Sequence, residues 1–575
     1  MGISAKHIDK TWTFRTPPKP EIIKSLSEEL GISTFPCHLL AQRGITNYEK
    51  AKDFFRPNLE MLHEPFLMKD MDTAVERIEK AISTKEKILI YGDYDVDGTT
   101  AVSLLFTFLK KHFKDISYYI PNRYDEGYGV SIKGIDYAAQ NKYSLIICLD
   151  CGIKANDKIQ YAKDKGIDFV VCDHHLPGSS LPPAVAVLDP KRSDCSYPYK
   201  ELSGCGIGFK LVHAFAIKNN IPFKDIEHLL DLVVTSIASD IVPITGENRV
   251  LAFYGLMQLK KAPRPGLKAL LNALKNSQEI TIEKLVFSVG PKINAAGRME
   301  TGLNAVKLLT AENIESTSSI YEYINTNNTD RRETDSQITT EALSMIESDG
   351  DYKNKNTTVL FNPNWHKGVI GIVASRLIEK HYRPTIVLTE SNGKATGSAR
   401  SVINFNVYNA IQNCEELIDQ YGGHKYAAGL TMDIDKIPEF SKRFDEAVRK
   451  TIDPKMLIPE ILIDAEIEFS DITNGFYNIL KQFSPFGPEN MKPIFMTKNL
   501  IDSGYSKIVG QDHLKLSIIN KDSSSNMDAI AFGMGNYYDE IKNKEKFSIC
   551  YTIDENVWNG KTSLQLMVKD IKLEN

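Results

Sequence analysis

Three times between residues 87 and 175, a short apolar run ends on acidic or imidazole side chains, and helix-period stretches lie between the runs. KILIY leads into GDYDVDG, LIICL into Asp150, and DFVVC into Asp173, His174 and His175. Apolar strands without polar alternation are covered on both faces, and helices between them act as crossovers, so this unit predicts a parallel sheet between helical layers. Ser117 to Ile120 supplies a further strand, and residues 132–140 and 154–165 supply helices. Ligands in such sheets bind beyond the carboxyl ends of the strands. Asp93, Asp95, Asp97, Asp150, His174 and His175 are therefore expected along one edge.

Carboxylates gathered in one place repel each other unless protonated or neutralised, and a divalent cation is the usual neutraliser. Oxygen donors with one or two imidazoles suit Mn²⁺ or Mg²⁺ better than a structural zinc. Each Asp could instead cap a helix or turn, and Asp97, followed by Gly98 and Thr99, fits a cap as well as a ligand. Four independent caps have no reason to stand at successive strand ends, which favours the metal reading for Asp93, Asp95, Asp150 and His174.

The 575 residues suggest several domains. The expected organisation is an N-terminal helical segment at 1–80, a sheet domain at 81–320, a helical linker at 321–350, a second α/β domain at 351–455 and a small β-barrel or sandwich at 456–575. The polar stretch 325–337 carries too little apolar content for a core and reads as an exposed helix or linker. From residue 461 onward, 12 Lys and Arg stand against 16 Asp and Glu, so charge alone cannot make the β domain grip phosphate. Tyr505, Phe532 and Trp558 are possible stacking platforms, although such side chains more often belong to a core.

The net charge of -5 excludes a basic nucleic-acid coat but not a local basic groove. No stretch approaches 18 apolar residues and the first ten residues lack an apolar signal core, so a cytoplasmic chain that crosses no membrane is expected. The eight cysteines are sparse, and the pair Cys148 and Cys151 lacks the second pair or nearby His that would complete a zinc set. Gly204, Gly206 and Gly208 suggest a dinucleotide loop, but Phe209 stands where the last glycine is required.

GDYDVDG, Asp150, the triplet Asp173, His174 and His175, and SDIVPI with Asp240 resemble the four motifs of the DHH phosphoesterase superfamily. YIPNR, INAAGRM, WHKGVIGIVASR, GSAR, GGHKYAAG and SPFGPEN narrow the resemblance to RecJ-type single-strand-specific exonucleases, with their DHH and DHHA1 domains. That resemblance implies a 5′→3′ exonuclease releasing mononucleotides from single-stranded DNA in repair and recombination, with the first sheet domain catalytic and the last domain OB-like. It implies two divalent cations held by Asp93, Asp95, Asp150, His174 and Asp240, with Asp150 bridging and His175 at the scissile phosphate or leaving oxygen. It further implies that Arg123, Asn294, Arg298, Ser398, Arg400 and His424 contact the strand, along a channel between the two α/β domains. A helicase and a single-strand-binding protein are candidate partners, and a monomer is expected. Some relatives carry His where this chain has Tyr91, a poor ligand at neutral pH, so one metal site is expected to have fewer protein ligands. A phosphodiesterase for short oligonucleotides or cyclic dinucleotides and a non-catalytic replication scaffold remain the alternatives.

Overall fold

The computed structural model describes residues 9–272, 279–299, 301–520, 525–543, 546–558 and 560–574, and the side chains of Met299 and Trp558 lie outside the described residues, so the platform expected at Trp558 is not among them. By contacts the chain divides into two compact units: residues 52–331 with 483–491, and residues 1–51 with 332–482 and 492–575.

In the first unit, strands Lys87–Gly92, Ile116–Tyr119, Tyr143–Leu149, Asp168–Cys172 and Ala186–Leu188 form a sheet whose every pairing is parallel. Side chains alternate between its faces. Ile88 and Ile90 join one core with helices Val96–Leu109, Gly204–Lys218 and Leu230–Ser239, while Leu89 and Tyr91 join another with Ile135, Ala138, Ile159 and Ala162. Fully burying an aliphatic side chain of this size contributes about 1.5–3 kcal/mol, so doubly covered strands are strongly fixed. The α/β class expected for this region is what the structure has.

Strand order supplies what the sequence could not. The sheet runs Ile116–Tyr119, Lys87–Gly92, Tyr143–Leu149, Asp168–Cys172, Ala186–Leu188, so the winding reverses between Lys87–Gly92 and Tyr143–Leu149. A reversal opens a crevice at the carboxyl ends of the two strands it separates. Asp93 and Asp150 follow those two strands directly.

The second unit holds a mixed five-stranded sheet, ordered Gln420–His424, Ala427–Met432, Lys394–Arg400, Thr385–Ser391, Thr358–Phe361, with helix Ile370–Lys380 packed on it. Its C-terminal portion is a seven-stranded sheet in which Phe495–Asp502 pairs with both Phe547–Trp558 and His513–Asn520, curling it toward a barrel as expected. At the N-terminus the helical expectation needs one correction. Thr11–Phe14 is a strand, paired in parallel with Glu460–Ile463, and its alternation was too short to stand out.

The stretch 325–337 is helical and mostly exposed, as expected, but not at every position. It lies within one helix, Glu315–Ser348, and Asn328, Arg331 and Asp335 are buried rather than exposed. They continue a stripe that begins at Ile324 and runs on through Ile338, Ala342 and Ile346 at helical spacing. Composition hid this stripe because its central positions are polar. Arg331 donates to the Asn328 amide oxygen at 2.8 Å, and Arg376 pairs with Asp335 at 2.7 Å.

Candidate functional site

The loop after Lys87–Gly92 turns sharply into helix Val96–Leu109, and its three aspartates separate by role. Asp95 is the N-cap, accepting from the Gly98 N–H at 3.0 Å. Asp93 is fully buried and accepts from the Gly129 N–H at 3.2 Å. Asp97 does not cap its own helix. Its carboxylate accepts from the N–H groups of Gly204 and Cys205 at 2.7 Å each, and from the Ser236 hydroxyl at 2.6 Å. It thus satisfies the open N-terminus of helix Gly204–Lys218, where a negative charge is favoured. The three glycines considered above for a dinucleotide loop lie inside that helix.

Asp150 follows its strand with φ at +58°, and its N–H donates to the Cys172 carbonyl at 2.9 Å. Gly204 faces it so closely that a Cβ there would fall 2.6 Å from the Asp150 Cβ. From the next strand end, His174 turns its Nε2 to within 3.3 Å of Asp150 Oδ1, 3.6 Å of Asp240 Oδ2 and 3.8 Å of Asp97 Oδ2. Asp240 closes helix Leu230–Ser239. Among the described residues, two groups have ligand atoms close enough to hold an ion: Asp150, His174 and His175, and Asp97, His174 and Asp240. Asp97 was the residue left between cap and ligand, and it serves as a cap to a neighbouring helix while also facing the cluster. Asp93 and Asp95 stand beside these groups rather than within them.

The electrostatics are those of an unneutralised cluster. Burial, then the charge of Asp95, pushes the Asp93 carboxyl well above the usual range. Burial, then Asp97, does the same to Asp150 and Asp240 and raises Asp95. Burial lowers His174 against the pull of Asp97. Asp93 Oδ2, Asp150 Oδ1 and both ring nitrogens of His174 are buried without a hydrogen-bond partner among the described residues. Buried acceptors left open in this way are costly unless something completes them. These oxygen and imidazole donors fit a hard divalent cation.

Asp173 has a different role from its neighbours. Its Oδ1 accepts from the His174 and His175 N–H groups at 2.8 and 3.2 Å and meets His175 Nδ1 at 2.8 Å, while Oδ2 accepts from the Ile153 N–H. Burial would raise its pKa, but the His175 hydrogen bond outweighs that and lowers it. Burial disfavours charge on His175, and the Asp173 hydrogen bond and nearby carboxylates overcome this to raise its pKa. The Nε2 of His175 lies 3.3 Å from the Tyr128 hydroxyl, which also donates to the Asp150 carbonyl. Tyr91 is fully buried, donating to the Gly129 carbonyl at 3.0 Å, and burial keeps its phenol protonated far above the ordinary range.

Arg123 lies over the Tyr94 ring at 5.2 Å. Helix Gly290–Met299 packs against the same residue, since a Cβ on Gly297 would fall 2.7 Å from the Tyr94 carbonyl oxygen. Asn294 and Arg298 are four residues apart on that helix and share a face. Arg123 and Arg298 therefore flank the loop that carries Asp93 and Asp95.

Within the second unit, strand register sets out a distinct surface. Arg400 pairs with Ala427, and Ala427 with His424, which places Arg400 and His424 in one row across three strands. Ser398, Gly429 and Gly422 form the next row on the same face. Arg400 donates to the Ser398 hydroxyl at 2.9 Å, and Gly371, at the start of helix Ile370–Lys380, approaches both so closely that a Cβ would fall 2.9 Å from each. In the β domain, Tyr505 and Phe532 are 82% and 57% exposed, so neither belongs to the core.

The comparisons match this architecture piece by piece. Family models match for the DHH family, N-terminal domain, at residues 87–237, the DHHA1 domain at 354–450 and the RecJ OB domain at 463–570. The single-stranded-DNA-specific exonuclease RecJ of Bacillus subtilis (strain 168) is 36% identical over 563 residues, covering 97% of this chain and 70% of its own. That of Escherichia coli (strain K12) is 31% identical over 526 residues, covering 87% of this chain and 90% of its own. The crystal structure of RecJ in complex with Mn²⁺ from Thermus thermophilus superposes with a TM-score of 0.85 at 23% identity, over 98% of this chain and 80% of that one. A structure of exonuclease RecJ bound to manganese matches at 28% identity with a TM-score of 0.60, over 69% of this chain and 98% of that one.

Proposed function

The chain belongs to the RecJ family of single-stranded-DNA-specific exonucleases, and on that premise we propose that it is a divalent-cation-dependent nuclease that hydrolyses single-stranded DNA from the 5′ end to mononucleotides. The observation that carries the reading is the set of open, buried acceptors at the reversal of the parallel sheet: Asp93 Oδ2, Asp150 Oδ1 and His174. Two ions of Mn²⁺ or Mg²⁺ would be held by Asp93, Asp95, Asp150, His174 and Asp240, with Asp97 a further candidate. When bound, such ions polarise the phosphate and bring the pKa of a coordinated water toward about 7.

The chain's own groups supply the rest. Asp173 fixes the His175 ring through Nδ1 and favours its protonated form, which leaves Nε2, 3.3 Å from the Tyr128 hydroxyl, as the nitrogen that would serve the departing oxygen. Asp150, in its left-handed turn, presents one carboxylate oxygen to His174 while its backbone is tied to the neighbouring strand. Arg123, Arg298 and Asn294 would hold phosphates of the strand as charge-assisted and neutral donors. Ser398, Arg400 and His424, on a face kept bare by glycines, would receive the 5′-terminal phosphate and so set the direction of cutting.

A strand-specific nuclease needs its strand exposed, so a helicase and a single-strand-binding protein are the partners this activity calls for. One chain carries both the carboxylate cluster and the Arg400 face, which supports a monomer. All eight cysteines are free thiols, which supports a reducing compartment such as the cytoplasm. No helix among the described residues is long and apolar enough to cross a membrane.

The test incubates the chain and Mn²⁺ or Mg²⁺ with 5′-labelled single-stranded, double-stranded and two-nucleotide substrates. Labelled mononucleotide released from the long single strand alone is expected. Preference for the two-nucleotide substrate would favour an oligonucleotide phosphodiesterase, and no hydrolysis at all would favour a scaffold.

A further inference from the structure

Immediately after Asp240, Ile241 combines two unfavourable features. Its φ is +59°, a region that β-branched residues almost never adopt, and its side chain is 63% exposed. Neither contributes to folding. The left-handed turn costs free energy, and an isoleucine this exposed buries little in return.

The turn persists because the chain beyond it is clamped. Val242 and Ile244 are buried, and the Ile244 N–H donates to the Pro488 carbonyl at 2.9 Å. The Pro243 carbonyl accepts from the Asn248 amide at 3.1 Å and from the Tyr199 hydroxyl at 3.4 Å. Backbone strain that the surroundings over-determine gathers at functional sites, where a side chain must be held in a particular place.

Ile241 is not alone at this rim. Leu176, next to His175, is 61% exposed, and Tyr128, whose hydroxyl reaches His175, is 50% exposed. Three large side chains, each at least half exposed, thus belong to residues that adjoin Asp240 or His175 in the chain or hydrogen-bond to His175, all within one unit. Apolar groups exposed around a polar site mark a surface that a ligand covers. A nucleotide whose phosphate lies at the cluster has two apolar surfaces of its own, the deoxyribose and the face of the base.

We propose that Ile241 is a specificity-determining residue that packs against the base and sugar of the nucleotide being released, with Leu176 and Tyr128 completing the rim. The left-handed turn aims its side chain outward beside Asp240. This proposal rests on the nuclease reading above and adds the contact that recognises an unpaired base, since a base still paired in a duplex has its faces covered by its neighbours.

The experiment is a cycle of two enzymes and two substrates. Single-stranded DNA carrying a normal 5′-terminal nucleotide is compared with DNA whose terminal residue is abasic, using the parent and Ile241→Gly. Glycine accepts the positive φ freely, so the variant should match or exceed the parent in Tm, with unchanged Mn²⁺ affinity. In the parent, removing the base should lower kcat/KM about tenfold, equal to about 1.4 kcal/mol. In Ile241→Gly the normal substrate should already be about tenfold slower, and removing the base should cost less than a further twofold. Ile241→Asn, which also tolerates this backbone, repeats the test with a polar side chain. Additive losses, an unimpaired variant, or a parent indifferent to the terminal base would each overturn the proposal. Failure of the parent on every single strand would instead refute the nuclease reading beneath it.

Discussion

Gly204→Ala tests the site without touching any of its polar groups. A Cβ at this position would stand 2.6 Å from the Asp150 Cβ and 2.8 Å from Oδ1, whereas ordinary contact begins at 3.4 Å, so about 0.8 Å must be found. The helix backbone cannot supply it, because the Gly204 and Cys205 N–H groups are both fixed by Asp97. Asp150 must move. Overpacking of this kind costs about 1–3 kcal/mol, and replacing a helical glycine by alanine returns about 0.5–1 kcal/mol. The net effect on stability is therefore a loss of about 0–2.5 kcal/mol. The effect on the site is larger in proportion, since changes that misorient a ligand without removing it, such as loss of an outer partner, typically cost about 10–100-fold in metal affinity. Gly208→Ala is the matched control, since its Cβ would meet only the Leu149 Cδ2 at 3.3 Å, the movable end of a side chain. Mn²⁺ titration by calorimetry, thermal unfolding and kcat/KM on single-stranded DNA would be measured on both. Gly208→Ala should hold Mn²⁺ within twofold of the parent and unfold no earlier. If Gly204→Ala also bound Mn²⁺ as the parent does, the assignment of Asp150 as a ligand would be refuted.

Asp150→Ala should abolish hydrolysis while leaving single-strand binding, read by fluorescence anisotropy, within a few-fold of the parent; retained hydrolysis would contradict the assignment. Arg400→Ala should weaken capture of 5′-phosphorylated strands by about 10–100-fold and 5′-hydroxyl strands much less, which competition between the two substrates would show. Glu86 offers a pH test remote from the site. Burial would raise its pKa, but hydrogen bonds from Ser144, Arg77 and Thr84 hold it down to about 2. A carboxyl with its folded pKa depressed stabilises the fold above its unfolded pKa and loses that contribution as pH falls toward the folded value. The Tm gap between the parent and Glu86→Gln should therefore be widest near neutrality and shrink between about pH 4.5 and 2, and a gap constant with pH would exclude this origin.

What could be read from sequence was whatever a single strand, loop and helix encode locally. The apolar runs and the acidic strand ends are properties of a few adjacent residues, and the structure forms the expected sheet with helices on both faces. Strand order was not local. That Ile116–Tyr119 lies outside Lys87–Gly92, which puts Asp93 and Asp150 at the reversal, depends on which way the chain crosses over, and no residue announces it. The stripe through Asn328, Arg331 and Asp335 was hidden for a related reason. Polar content argues for exposure residue by residue, and only the spacing argues for burial.

Asp97 shows why a site is harder to read than a fold. Its neighbours Gly98 and Thr99 offered a local explanation, a cap, and that explanation was correct in kind but wrong in object. The helix it caps begins at Gly204, 107 residues away, and the same carboxylate stands 3.8 Å from His174. Capping and facing the cluster are compatible because the helix N-terminus contributes partial positive charge, which favours a carboxylate at that place. A neutral amide in the same place would keep several of the hydrogen bonds and lose the charge. Asp97→Asn should therefore fold, with Tm lowered by a few degrees. It should also bring the remaining carboxyls of the cluster down toward their ordinary range, because Asp97 is the leading charge raising Asp95, Asp150 and Asp240. Infrared or NMR titration of the metal-free variant would show this, and unchanged carboxyl titrations would mean that burial alone sets those pKa values.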